Sequence, residues 1–133
     1  MNLNEIALLL SQTGQYSTEC IGVCTDSRLS MPGQLFIAIS GEHFDGHDFV
    51  IQAQKQGAVA VVVQRPIDGI SIPQFIVPDT LLALAQIAKA HRLTVKCPVI
   101  AVTGSNGKTT VKEMIAAILP QPSHATKGNL NNH

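Results

Sequence analysis

The residues most able to do chemistry sit in one run, Thr103-Gly104-Ser105-Asn106-Gly107-Lys108-Thr109-Thr110. Glycines in a tight turn let successive backbone N–H groups point inward, and a helix that follows adds positive potential at its N-terminus; together these bind phosphate. Gly107-Lys108-Thr109 reads as the G-K-[ST] half of such a loop, with Lys108 reaching the outer phosphates and the Thr109 hydroxyl placed for Mg²⁺. The general pattern G-x-x-x-x-G-K-[ST] wants its first glycine where Val102 stands, so this loop is shorter, starting at Gly104. A lysine in the first turn of a helix opposes the dipole, and a bound anion accounts for it. Ser105 and Asn106 have two readings, phosphate contacts or simple turn formers.

Two further groups precede this loop. Thr25-Asp26-Ser27-Arg28 follows an apolar run, where the Ser27 hydroxyl and Arg28 guanidinium can meet a diphosphate. The other reading is an Asx turn at Asp26 with Arg28 in a structural ion pair. Ser40 to Phe49 is a polar loop containing His43, Phe44, Asp45, His47 and Asp48. Its spacing matches no metal signature, and it reads more simply as an Asp45-Gly46 turn with His47 or Asp48 capping a helix. Cys20, Cys24 and Cys97 make an odd set in or beside apolar runs; with no second pair to complete a zinc site at Cys20/Cys24, they read as reduced, buried thiols.

Composition limits what the chain can be. Nine basic residues balance nine acidic ones over 133 residues, so no global field draws the chain to nucleic acid, and any phosphate binding is local. No apolar run is long enough to insert into a membrane, and the N-terminus has no basic signal region. A cytoplasmic monomer is expected.

The elements that must position these residues alternate between strand and helix, which argues α/β. A helix over 5–12 with Asn4 as cap, Gly14 as stop and a face at Ile6, Leu9 and Leu10 opens the chain. Strands follow at 20–24, 35–39, 58–63 and 74–77, the second and third without polar alternation and so buried on both faces. A helix spans 48–56. Another starts after Asp79, with a stripe of Leu81, Leu84, Ala85 and Ala88. Past a short junction at Lys96-Cys97-Pro98, a strand at 99–103 feeds the phosphate loop and a helix from Lys108 to Leu119. That helix carries Val111, Met114, Ile115 and Ile118 on one face. After Lys108 the only acidic residue is Glu113, which points away from the loop, so this part reads as the entry to a nucleotide site and not a complete one.

Three motifs in this order resemble the Mur ligases of peptidoglycan synthesis: Asp26-Ser27-Arg28 with Pro32-Gly33-Gln34-Leu35-Phe36, then Gly41 to Phe49 with its D-G-H-x-F core, then T-G-S-N-G-K-T-T. The resemblance covers nearly the whole chain. It explains the shortened loop. Val111-Lys112-Glu113-Met114 and Gly128-Asn129-Leu130-Asn131-Asn132 look most like the branch that adds D-alanyl-D-alanine; the branch that adds the third amino acid is the alternative. The resemblance implies an α/β fold. Residues 1–96 would form the N-terminal Mur ligase domain, a mixed sheet packed by helices that binds UDP-MurNAc-peptide. Residues 97–133 would be the truncated start of a P-loop α/β ATPase domain. It implies ATP and Mg as cofactors, with Gly104, Ser105, Asn106, Gly107, Lys108, Thr109 and Thr110 on ATP, catalytic roles for Lys108 and Thr109, and Mg on Thr109. It implies Ser27, Arg28, Phe44, His47, Asn129 and Asn132 on the substrate. The implied reaction joins D-alanyl-D-alanine to UDP-MurNAc-tripeptide through an acyl phosphate, and the chain alone is expected to be an inactive piece of that ligase. A nucleotide-sugar binding module without catalysis is the reading from another class.

Overall fold

A computed structural model describes residues 1–29, 32–42 and 44–126. They fall into two compact units, Met1–Val95 and Lys96–His133.

The first unit is built on four strands, β1 (Gly22–Cys24), β2 (Gln34–Ile37), β3 (Ala60–Val63) and β4 (Gln74–Ile76), hydrogen-bonded in the order β1-β2-β3-β4. Every pairing is parallel, with Val23 opposite Leu35, Phe36 opposite Val61 and Val62 opposite Phe75. The sheet is thus parallel and not mixed; among the described residues antiparallel contact is limited to two isolated bridges, Asn2 with Glu19 and Ser40 with Asp45. Parallel strands need covering on both faces, and the apolar runs of β2 and β3 supply side chains to both. Leu35, Ile37, Ala60 and Val62 face one core with Leu3, Ile6 and Ile87, while Phe36, Ala38, Val61 and Val63 face a second core with Val50 and Ala53.

Helices α1 (Leu3–Leu9) and α3 (Thr80–Thr94) cover the first face; α2 (Val50–Lys55) covers the second. α1 starts earlier than its sequence suggests. Asn2 is the cap: its side chain accepts from Glu5 N at 2.8 Å and the Glu5 carboxylate accepts from Asn2 N at 2.9 Å, a reciprocal capping box. Asn4 instead accepts from Tyr16 N, and the helix ends at Leu9, well before Gly14. The buried side is accordingly Leu3, Ile6, Ala7 and Leu10, with Leu9 facing out.

Asp79 caps α3 as expected, accepting from Leu81 N and Leu82 N. Its buried stripe is Thr80, Ala83 and Ile87, flanked by Leu84, and Leu81 is 55% exposed. The expected stripe 81, 84, 85, 88 and the buried one, shifted by one residue to 80, 83, 84, 87, are both largely apolar and share Leu84, so periodicity alone leaves the helix free to roll by one residue.

In the second unit, α4 (Lys108–Ile118) forms as the spacing predicts. Residues 99–103 form no strand: a strand needs a ladder partner, and among the described residues of this unit there is none. Val99 and Ile100 are exposed, as are Val111, Met114 and Ile118 of α4, while Ile115 on the same face is half-buried. Cys97 is also exposed, whereas Cys20 and Cys24 are buried at the two ends of β1, their thiols donating to Gly22 O and Asp26 O.

Candidate functional site

Because all four strands run the same way, their carboxyl ends share one edge of the sheet, the edge where open α/β sheets bind ligands. Thr25-Asp26-Ser27-Arg28 leaves β1 there, the Ser40–Phe49 loop leaves β2, and Gln64-Arg65 leaves β3. Ser27 is buried against the strand end. Arg28 is exposed and forks onto Asp26, with Nε to Oδ1 at 2.9 Å and Nη2 to Oδ2 at 2.7 Å, while its own backbone N–H donates to Oδ1. The guanidinium, and then that N–H, hold the Asp26 carboxyl at about 2, below its ordinary 3.8. The ion-pair reading of Arg28 therefore describes it as it stands. Phe44 is 52% exposed, its ring 6.3 Å from that of Phe49, so the β2 loop presents two aromatic rings to solvent.

His47 lies inside the structure of this loop. Expected to touch substrate, it is buried with a side chain that is 0% exposed, and both ring nitrogens are engaged. Nε2 accepts from Gln64 N at 2.8 Å, so it is bare, and the ring proton lies on Nδ1, 2.6 Å from Asp45 Oδ1. No nitrogen is left for a ligand.

Asp45, read only as a turn residue, caps a single 3-10 turn, Gly46–Phe49, that leads into α2, in place of His47 or Asp48, and is the centre of the network. Its Oδ1 accepts from Ser40 Oγ, His47 N and His47 Nδ1, and its Oδ2 accepts from Arg65 Nη2 at 2.8 Å. The His47 N–H, followed by Arg65, His47 Nδ1 and Ser40, holds its carboxyl far below the usual carboxylate range. Gly46 has to be glycine: a Cβ there would lie 2.7 Å from the backbone N and O of Ile39. The D-G-H triplet was a visible signal for this cluster; its partners Gln64 and Arg65 lie seventeen and twenty residues away, beyond the reach of local pattern.

In the second unit, Gly104 (φ +146°) and Gly107 (φ +77°) take backbone conformations that L side chains rarely adopt, and Gly107 is the N-cap of α4 without a side-chain cap. The helix N-terminus is thus left to backbone donors. Lys108 folds back over the loop, Nζ donating to Gly104 O at 2.6 Å. Ser105, Asn106, Thr109 and Thr110 are exposed around it. A nucleotide phosphate fits this donor set, since it offers an uncapped helix start and a lysine held over the turn. Thr109 could be only one of the oxygen ligands Mg²⁺ requires. Among the described residues no group of three His, Cys, Asp or Glu gathers to hold a metal, and Glu113 is paired with Lys112 at 2.9 Å. Asn129 and Asn132 lie outside the described residues, as does His43.

The description "Mur ligase family, catalytic domain" matches residues 20–92, more than half of the chain. The chain belongs to the Mur ligase family. Residues 102–133 match the Mur ligase middle domain. The UDP-N-acetylmuramoyl-tripeptide–D-alanyl-D-alanine ligase of Escherichia coli K12 is 54% identical over 112 residues, covering 83% of this chain and 25% of that protein. Among solved Mur ligases, MurF from Acinetobacter baumannii superposes with a TM-score of 0.78 at 39% identity, covering 88% of this chain and 27% of its own. MurF from Thermotoga maritima, solved in complex with ADP, gives 0.62 at 34% identity over 80% and 23% of the two chains. The chain spans about a quarter of the length of the curated relatives it matches. No described helix is long and apolar enough to cross a membrane.

Proposed function

We propose that this chain supplies the UDP-substrate domain and the phosphate loop of a ligase that joins D-alanyl-D-alanine to UDP-MurNAc-tripeptide in peptidoglycan precursor synthesis. The observation that carries the reading is the pairing, in one chain, of a parallel-sheet edge bearing Ser27, Arg28 and Phe44 with the Gly104–Thr110 loop and its lysine. Residues 1–96 serve the substrate and residues 97–133 begin the ATP domain, and the protein works as a cytoplasmic monomer.

In this reading the γ-phosphoryl group of ATP passes to the terminal carboxylate of the peptide, giving an acyl phosphate and ADP. The D-alanyl-D-alanine amine then attacks the acyl carbon, and the C–O bond to phosphate breaks as the amide forms. Phosphoryl transfer demands positioning and charge neutralisation more than covalent chemistry. Lys108 would leave Gly104 O for the outer phosphates, the backbone N–H groups of 105–109 would cradle them, and the Thr109 hydroxyl would take one position on Mg²⁺. Ser27, Arg28 and Phe44 would meet the uridine diphosphate, Phe44 by stacking. Asn129 and Asn132 are proposed for the peptide side of the substrate.

Calorimetry on the 133-residue chain tests this. Saturable binding of UDP-MurNAc-tripeptide, and of Mg-ADP in a form abolished by Lys108→Ala, is expected. Phosphate release from ATP with both substrates is expected to stay at background, since Glu113 is the only acid after the loop and is already paired. Absence of UDP-MurNAc-tripeptide binding, or Mg-ADP binding indifferent to Lys108→Ala, would overturn the reading. Tighter binding of the UDP-MurNAc-dipeptide than of the tripeptide would move it to the branch that adds the third amino acid.

A further inference from the structure

We propose that Asp45, His47 and Arg65 form a latch that positions the β2 loop, and Phe44 upon it, for the uridine-diphosphate part of the substrate. The inference rests on the function proposed above and assigns a positioning role to three residues to which that function gives none.

Within itself the loop is held by Gly41 N to Phe44 O, Gly46 N to Ile39 O, Asp48 N to Asp45 O and the bonds that Asp45 Oδ1 accepts from Ser40 and His47. What ties it to the neighbouring strand is polar and comes from two consecutive residues past β3. Gln64 N donates to His47 Nε2, and Arg65 donates to Asp45 Oδ2. An imidazole with no exposed surface is costly to bury unless both nitrogens are paired, and here both are. A phenyl ring would fill much of the same space without that demand. A fully satisfied polar network instead specifies one arrangement, and the arrangement it specifies is that of the loop presenting Phe44. Asp45 couples the two halves, because one carboxylate oxygen serves the loop (Ser40, His47) and the other serves the strand end (Arg65). The Arg65 side chain is 55% exposed, so the outer half of the latch lies at the surface, where it can be altered without opening the core.

The test is calorimetry of the full chain with UDP-MurNAc-tripeptide, for wild type and for Asp45→Asn, Arg65→Gln, the double variant and Arg65→Lys, with a melting curve for each. A latch predicts that each neutral single variant keeps a cooperative melt but weakens binding by about tenfold, while the double variant is no weaker than the worse single within a factor of about two, as coupled residues behave. Arg65→Lys, which keeps the charge but not the fork, is expected between wild type and Arg65→Gln. Wild-type affinity in both singles would overturn the latch and leave the functional reading standing. Weakening by Arg65→Gln but not by Asp45→Asn would also overturn it, making Arg65 a direct anion contact. No binding by wild type would remove the functional reading, and the latch with it.

Discussion

The two units answer the same question in opposite ways. In the first, Phe36, Val62 and Phe75 are at most 1% exposed; in the second, Val111, Met114 and Ile118 stand 45%, 64% and 81% exposed on a helix with equally good apolar spacing. The difference is the sheet. Four paired strands give α1, α2 and α3 two faces to cover, whereas no described strand lies in the second unit for α4 to cover. Apolar periodicity shows which side of a helix seeks a partner; it does not supply one. The same contrast runs through the two functional regions. The sheet edge proposed for the substrate is built from residues far apart in sequence and locked by polar bonds, while the proposed phosphate loop is made of consecutive backbone and needs only its own glycines and helix start.

Substitutions sharpen this contrast, and the largest effect belongs to the sheet. Phe36→Ala should cost the first unit about 3–5 kcal/mol in urea unfolding, as for a large aromatic lost from a closed core. Gly46→Ala comes next. Its Cβ would press on the Ile39 backbone, which cannot swing away as a side-chain tip can, so about 1–3 kcal/mol is expected, with weaker UDP-MurNAc-tripeptide binding because the β2 loop must shift.

Acid provides a gentler probe of the same loop. The folded-state pKa of Asp45 is depressed below its ordinary 3.8, so its contribution to stability is fully present above that value and is lost as pH falls through the folded pKa. The gap in melting temperature between wild type and Asp45→Asn should therefore be constant from pH 6 to 5 and shrink steadily below about 4; a gap unchanged at pH 2.5 would show that the Asp45 charge does nothing for the fold. Smallest of all, Ile118→Ala should change stability by no more than about 0.5 kcal/mol, as for an exposed site. A loss near that of Phe36→Ala would mean that α4 has a covered apolar face.

How much of this was legible in the sequence follows the same division. Strand and helix order, the Asp79 cap and the Gly107-Lys108-Thr109 loop rest on local chemistry, and local pattern finds them. The register of α1 turned on Asn2-x-x-Glu5, a capping box one turn ahead of the more obvious apolar run. The roll of α3 was undecidable because the expected stripe and the buried one a residue earlier are both largely apolar and share Leu84. The strand expected at 99–103 failed because strand is a property of a pair. The burial of His47 was not legible because it depends on the Gln64 N–H and on Asp45, and the ends of β2 and β3 meet only once the sheet has formed.

Amide hydrogen exchange on the 133-residue chain with and without UDP-MurNAc-tripeptide tests the central claim most directly. Added protection at 25–28, 40–49 and 64–65, with the amides of 104–109 unchanged until Mg-ADP is added, is the result expected. Protection by the UDP ligand elsewhere, or none along that sheet edge, would contradict the assignment of the substrate to the carboxyl ends of β1, β2 and β3.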